Sequence, residues 1–392
     1  MLDAPIGHSP LGGSATHRFM KCPGSVALSH GVEDDESEHA ARGTAAHHLG
    51  ELCLLTVRDA WTFIGDDIKG FIVDKDMADA VQVYVDWIRK EFGRHLANTE
   101  STLIEHKFHA PTLHQLYYGG LDFGRIDRVK RELTIVDYKH GMGVVVEVPW
   151  NPQCLYYAGG IMEKFDLWKD IDTIRIVIAQ PRGWHSSGPV REWTISVQDL
   201  DIWLVEKLLP AMDRALVSRD TESGEHCRFC PARFRACPQL LKDFEEFTTM
   251  ADKIKASEKG AEELTNAQVE RYLELESIMK IISAAVKKTA FNRLQHGATF
   301  EKWKLGSAKV NREWKEDAKD ALVAKYGDGA YEEKKLLSPA SVEKLPEGKA
   351  MAARYAFKPE AGLTLVPMDD ARPAVNRDTK SLFTPVKKGS KK

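Results

Sequence analysis

Residues 117–140 read YYGGLDFGRIDRVKRELTIVDYKH, and this stretch decides the fold. Short runs rich in β-branched and aromatic residues, bounded by glycines and charged turns, mark strands. Two of them fall at 118–129 and 132–141, and the polar link Lys130–Glu132 is short enough to close a hairpin. Working outward, STLIEHKFHA (101–110) is a further strand, and TIRIVIAQPR (173–182) is an apolar strand ended by Pro181. Helical spacing of apolar residues governs SEHAARGTAAHHLGELCLL (37–55), MADAVQVYVDWIRKEFGRHLA (77–97), NPQCLYYAGGIMEKF (151–165) and VQDLDIWLVEKLLPAMDRAL (197–216). Strands interleaved with helices predict an α/β protein, a mixed sheet flanked by helices. After Pro238 the chain becomes helical and highly charged, with 267–294 the clearest amphipathic stretch. EKWKLGSAKVNREW (301–314) reads as a small hairpin, and the chain ends on the basic tail VKKGSKK. The expected division is 1–240 and a mostly helical accessory region, 241–392.

Composition narrows the class. A chain of 392 residues with 43% hydrophobic and 29% charged residues can bury a real core. Its net charge of −3 excludes nucleic-acid binding by bulk charge, so any such contact needs local patches. No apolar run approaches about 18 residues, and no charged segment followed by an apolar one opens the chain, so neither a membrane span nor a secretory signal is expected. The expected compartment is the cytoplasm. In a reducing compartment clustered cysteines read as metal ligands or redox groups.

The chemistry begins at IVDYKHG. Residues i and i+2 of a strand face the same side, so Asp137 and Lys139 project together while Val136 and Tyr138 face the other way. A carboxylate beside a lysine suits metal-assisted phosphodiester hydrolysis: the acid holds a divalent cation, and the lysine orients water or stabilises developing charge. Magnesium takes one or two carboxylates with waters and phosphate, so a second acid is needed. The preceding strand offers Asp122 and Asp127. GTAAHHLGE sets His47 and Glu51 four residues apart on one helix face. NPQCLYY does the same for Gln153 and Tyr157.

Taken in order, Gly43-Thr44-x-x-His47-x-x-x-Glu51, Gly119-x-x-Asp122, Asp137-Tyr138-Lys139 and Gln153-x-x-x-Tyr157 closely resemble the RecB-type nuclease domain of the PD-(D/E)XK superfamily, over roughly residues 14–240. The resemblance implies that His47, Asp122 and Asp137 hold Mg²⁺ or Mn²⁺, that Lys139 is the catalytic lysine, and that Gln153 and Tyr157 contact substrate. Asp127, in GRIDRV, also fits the second motif; the YGGLD context favours Asp122 as closer to phage members of the group. The implied activity is a DNA exonuclease acting on single- or double-stranded ends in phage recombination or genome processing, beside a strand-annealing or recombination partner. A protein that keeps the fold only to bind or assemble on nucleic acid is the rival reading.

Cys227, Cys230 and Cys237 follow the spacing C-x₂-C-x₆-C, and Cys22 in KCPGS is the natural fourth ligand. Cys53 and Cys154 lie inside helices and read as packing residues. Four thiolates suit zinc or an iron–sulfur cluster, and spacing does not choose between them. One cysteine before the nuclease core and three after it resembles the iron staple of AddB-type nucleases, which implies a [4Fe–4S] cluster. Arg228, Arg233 and Arg235, with Phe229 and Phe234 among them, form a basic–aromatic patch able to touch a DNA strand. The segments 303–314, 332–345 and 357–375 resemble the C-terminal part of a phage and prophage family with the same motifs.

Overall fold

A computed structural model describes residues 7, 9–32, 38–142, 144–234, 237–307, 313–315, 318–332, 335–357, 363–367 and 373. The chain divides into two compact units, residues 1–281 and 282–392.

The first unit is built on a five-stranded mixed sheet in the order β1 (Thr102–His109), β2 (Tyr118–Asp127), β3 (Glu132–Tyr138), β4 (Thr173–Ala179), β5 (Val190–Ser196). The β1–β2, β2–β3 and β4–β5 pairs are antiparallel, and β3–β4 is parallel. A parallel pair needs a crossover, and helix α3 (Pro152–Lys164) supplies it. Asn151 caps α3 by accepting from Gln153 N and Cys154 N, each 3.1 Å away. On the other face lie α1 (Glu38–Thr56) and α2 (Lys75–Phe92), the latter capped by Asp74 and ended at Gly93. Two cores result. One joins Leu103, Phe108, Leu133 and Ile135 to α3, and the other joins Ile104, Phe123, Val136 and Tyr138 to α1 and α2. β4 feeds both, with Ile174, Ile176 and Ile178 in the first and Val177 and Ala179 in the second, so it reads as a continuous apolar run. Strand β5, VREWTIS, is an addition to the expected set.

The predicted helix at 197–216 is interrupted by a π-helical turn at Leu204–Leu208, just before Pro210. A widened turn absorbs the missing proline N–H and its ring. Two adjacent glycines let α3 sit close to the sheet. A Cβ on Gly160 would lie 2.1 Å from the Phe108 ring, and one on Gly159 would lie 2.5 Å from the Tyr117 hydroxyl. Gly160→Ala is therefore expected to lower stability by about 1–2 kcal/mol, overpacking outweighing the gain in helix propensity. A urea midpoint equal to or above that of wild type would contradict this packing.

Helices at Pro238–Ala256 and Asn266–Gln295 follow, joined by Arg271, which reaches Asp243 at 3.4 Å and Glu246 at 2.7 Å. The first compact unit thus runs past residue 240. The second unit is not purely helical. Trp303–Ser307 pairs with Leu363–Pro367, and Glu313–Trp314 with Ala356–Phe357, so the described residues of the hairpin expected at 301–314 pair with distant strands. Among the described residues no helix is long and apolar enough to cross a membrane. The basic C-terminal tail lies outside the described residues.

Candidate active site and cysteine cluster

The pairing register places the acids. Ile104 pairs with Phe123 and His106 with Leu121, which sets Glu105 opposite Asp122. The β2–β3 ladder ends at Phe123 and Val136, and just beyond it the Asp122 side chain accepts from Tyr138 N, next to Asp137. Three carboxylates thus stand in one cross-strand row. The side-chain alternation slips at this row: Leu121 and Phe123, two residues apart, enter opposite cores, whereas Leu103 and Phe108, five apart, share one. Glu105 carries the slip with φ +45°, a left-handed conformation that costs about 1–3 kcal/mol and is found preferentially at functional sites.

Helix α1 brings His47 onto the row. Its Nδ1 lies 3.2 Å from Asp122 Oδ1 and 3.9 Å from Glu105 Oε1, and its ring packs edge-on against Tyr138 at 5.3 Å. The other oxygen of Asp122 accepts from Tyr138 N at 2.7 Å. Asp137 is 2% exposed, with Lys139 Nζ 2.9 Å from its Oδ2. That approach is off-axis, and Asp137 Oδ2 is buried without a well-directed donor. Lys139 also donates to Gln153 Oε1 at 2.8 Å, and Gln153 Nε2 donates to the Tyr157 hydroxyl at 2.8 Å. One chain of contacts therefore runs Asp137–Lys139–Gln153–Tyr157. Tyr157 is in turn backed by Gly13, where a Cβ would come within 2.5 Å of its ring.

Electrostatics follow from this crowding. Burial favours neutral His47, but the charge and hydrogen bond of Asp122, then Glu105 and Asp137, outweigh it and raise the imidazole to about 9. Burial and the neighbouring Asp122 push Glu105 up to about 8. Asp122 resists burial through His47 and stays below the usual carboxylate value. Burial lifts Asp137 despite Lys139, and Lys139 is held above its usual value by Asp137 and Asp122 against its own burial. The carboxylates thus hold His47 and Lys139 in their charged forms.

The structure brings His47, Asp122, Asp137, Lys139, Gln153 and Tyr157 together. Asp127 stands apart, about 17 Å along the strand from Asp122. It caps the β2–β3 turn by accepting from Val129 N at 3.1 Å and Lys130 N at 2.9 Å. Glu51 bonds His48 Nδ1 at 2.8 Å instead of joining the row. Glu105 is the residue the sequence reading missed. Among the described residues, His47, Glu105 and Asp122 form the one group of three candidate ligand atoms within 4.8 Å of one another.

Cys22, Cys227, Cys230 and Cys237 line one small cavity, with Ser25, His226 and Leu240 among its other walls. The N-terminal segment reaches it by packing on the chain after α4 (Leu209–Val217): Gly24 N donates to Asp220 O at 2.8 Å, and Glu222 N lies 3.4 Å from Cys22 Sγ. Burial, then the neighbouring thiols, raises Cys22, and burial and the same neighbours push Cys227 up to about 11. Cys53 and Cys154 are fully buried in the two cores, away from this cavity. Arg228 and Phe229 are exposed, whereas Arg233 turns back to the Cys230 carbonyl at 3.0 Å. Arg235 lies outside the described residues.

Sheet, row and cavity define an α/β protein with a carboxylate–histidine–lysine site and a separate four-cysteine site. A family model described as "Protein of unknown function (DUF2800)" matches residues 8–373, and the chain belongs to that family.

Proposed function

We propose that this protein is a metal-dependent DNA nuclease of the PD-(D/E)XK class and RecB branch, acting on DNA ends, with a [4Fe–4S] cluster at its four cysteines. The observation that carries the reading is the cross-strand row Glu105–Asp122–Asp137 with Lys139 tied to both Asp137 and Gln153. The carboxylate oxygens of Glu105 and Asp122 suit Mg²⁺ or Mn²⁺, with His47 offering a third donor atom within 4.8 Å of both. A bound ion supplies polarisation of a phosphate oxygen and a more acidic water. Tyr138 N–H fixes one oxygen of Asp122, and His47 Nδ1 faces the other across 3.2 Å, so both side chains stand on one side of the row. Lys139, anchored at both neighbours, offers a fixed positive charge to a nucleophilic water or to charge developing on phosphorus. Tyr157 orients Gln153, which can touch the substrate backbone. The choice of DNA rests on the ordered motif series.

At the second site Cys22, Cys227, Cys230 and Cys237 line one cavity, and the choice of cluster over zinc rests on the resemblance to the iron staple.

One comparison tests the assignment of the row. Asp122→Asn is expected to lower cleavage of end-labelled DNA by at least about 10²-fold. Asp127→Asn, which weakens only a turn, should keep the rate within about threefold and cost at most about 1 kcal/mol of stability. Equal losses at both positions, or none at Asp122, would overturn it.

A further inference from the structure

Two loops leave the C-terminal ends of β3 and β4 beside Lys139, and they are stitched into one body. Gln180 Nε2 donates to Gly141 O at 3.2 Å and to Val144 O at 2.7 Å, while Val146 N donates to Gln180 Oε1 at 3.0 Å. Buried Arg191 donates to Val146 O at 2.9 Å, Arg182 donates to His140 O at 3.2 Å, and His185 Nε2 lies 3.7 Å from Glu147 Oε1. This body presents apolar side chains to solvent: Met142 is 62% exposed, Trp150 53% and Trp184 85%, with Val144 and Val145 also exposed. Exposed apolar groups carried on two well-tied loops point to a ligand.

Trp150 gives a second, independent sign. Its φ of +56° is left-handed, an outlier for so bulky a residue, and its ring is propped on Trp193 at 5.2 Å. Strain held in this way marks ligand clamps. Trp150 precedes the α3 cap, and three peptide links, at most about 11 Å, separate it from Gln153, the partner of Lys139. Trp184 follows β4 five residues after Ala179, whose carbonyl accepts the Lys139 N–H at 2.8 Å. Little positive charge reaches this surface: Arg182 Nη2 lies 2.8 Å from Asp76, and Arg191 is buried, turned inward to Val146 O and Gln180 Oε1. The surface is therefore suited to base faces more than to phosphates.

We infer that these loops form a base-stacking platform for unpaired nucleotides, so that the strand presented to the carboxylate row is single-stranded or frayed at its end. Indole faces stack on any base, which makes such a platform indifferent to sequence. A closed duplex hides its base faces and offers only phosphates to such a surface. The inference rests on the nuclease reading for what is done to the strand, not for its capture.

The test uses the full chain in EDTA with a twelve-nucleotide oligothymidylate carrying 2-aminopurine, beside a blunt duplex. Wild type should bind the single strand with a change in 2-aminopurine emission. Trp150→Ala and Trp184→Ala should each weaken that binding about tenfold, the size of one base–indole stack, while Trp150→Tyr and Trp184→Phe keep most of it. Duplex affinity should change less than threefold. Absence of oligonucleotide binding by wild type, equal single-strand affinity in both alanine variants, or parallel losses for single strand and duplex would overturn the platform. So would a change in sedimentation with unchanged binding, the mark of a protein interface. Binding through the tryptophans in a protein that cleaves nothing would support the platform and sink the nuclease reading. Cleavage indifferent to the tryptophans would sink the platform alone.

Discussion

Lys139→Gln is expected to lower the rate of DNA cleavage by about 10²–10³-fold while divalent-cation binding stays within about threefold. The magnitude is that of removing one preorganised charged donor from the site. The geometry favours it because Lys139 sits at the end of β3 with Nζ fixed 2.9 Å from Asp137 and 2.8 Å from Gln153. It cannot swing away, and its charge needs no reorganisation during the reaction. Glutamine keeps a donor for Asp137, so that carboxylate is not left buried beside nothing, a situation that costs about 3–5 kcal/mol. Circular dichroism and a thermal midpoint near that of wild type would show that the loss is catalytic. A rate within tenfold of wild type would remove Lys139 from the chemistry.

The second large effect belongs to the cysteines. Protein prepared under nitrogen is expected to be brown, and Cys22→Ser to abolish the colour and lower the thermal midpoint by roughly 10 °C. Cys22 and Cys227 bound to one cluster close a loop of roughly 200 residues, and by loop-closure entropy such a tie contributes about 3–5 kcal/mol. The N-terminal helices otherwise dock through contacts such as Gly24 N to Asp220 O and Arg214 to Met20 O. Cys53→Ala is the control, because Cys53 is buried among core residues of α1 and α2 and should leave the colour intact. A colourless anaerobic preparation with stoichiometric zinc would replace the cluster by zinc. Colour that survives Cys22→Ser would remove Cys22 from the ligand set.

Much of the site was legible because local periodicity controls it. Strand alternation put Asp137 and Lys139 on one side, and the structure has them in contact. Helical spacing paired Gln153 with Tyr157, and they share a hydrogen bond. What escaped depended on distant partners. Glu105 joins the site through the β1–β2 register and a left-handed φ, neither written in STLIEHKF. Asp122 and Asp127 both fit the motif in one strand; the YGGLD context favours Asp122, and the positions of His47 and of the β2–β3 turn separate the two in space. Glu51 was aligned with His47 by spacing, but three residues are as close as four on a helix, and His48 takes it. The strands of the second unit pair across long stretches of chain, so local alternation suggested a hairpin where a distant partner prevails.

The measurement closest to the central claim is digestion of end-labelled single- and double-stranded DNA by EDTA-stripped protein, with Mg²⁺ or Mn²⁺ restored, beside Asp137→Ala. Asp137 is buried beside Asp122 and paired with Lys139 at 2.9 Å. Metal-dependent release of label by wild type, reduced by at least about 10³-fold in the variant, is the expected result. Binding without cleavage in either metal, or equal cleavage by wild type and Asp137→Ala, would contradict it.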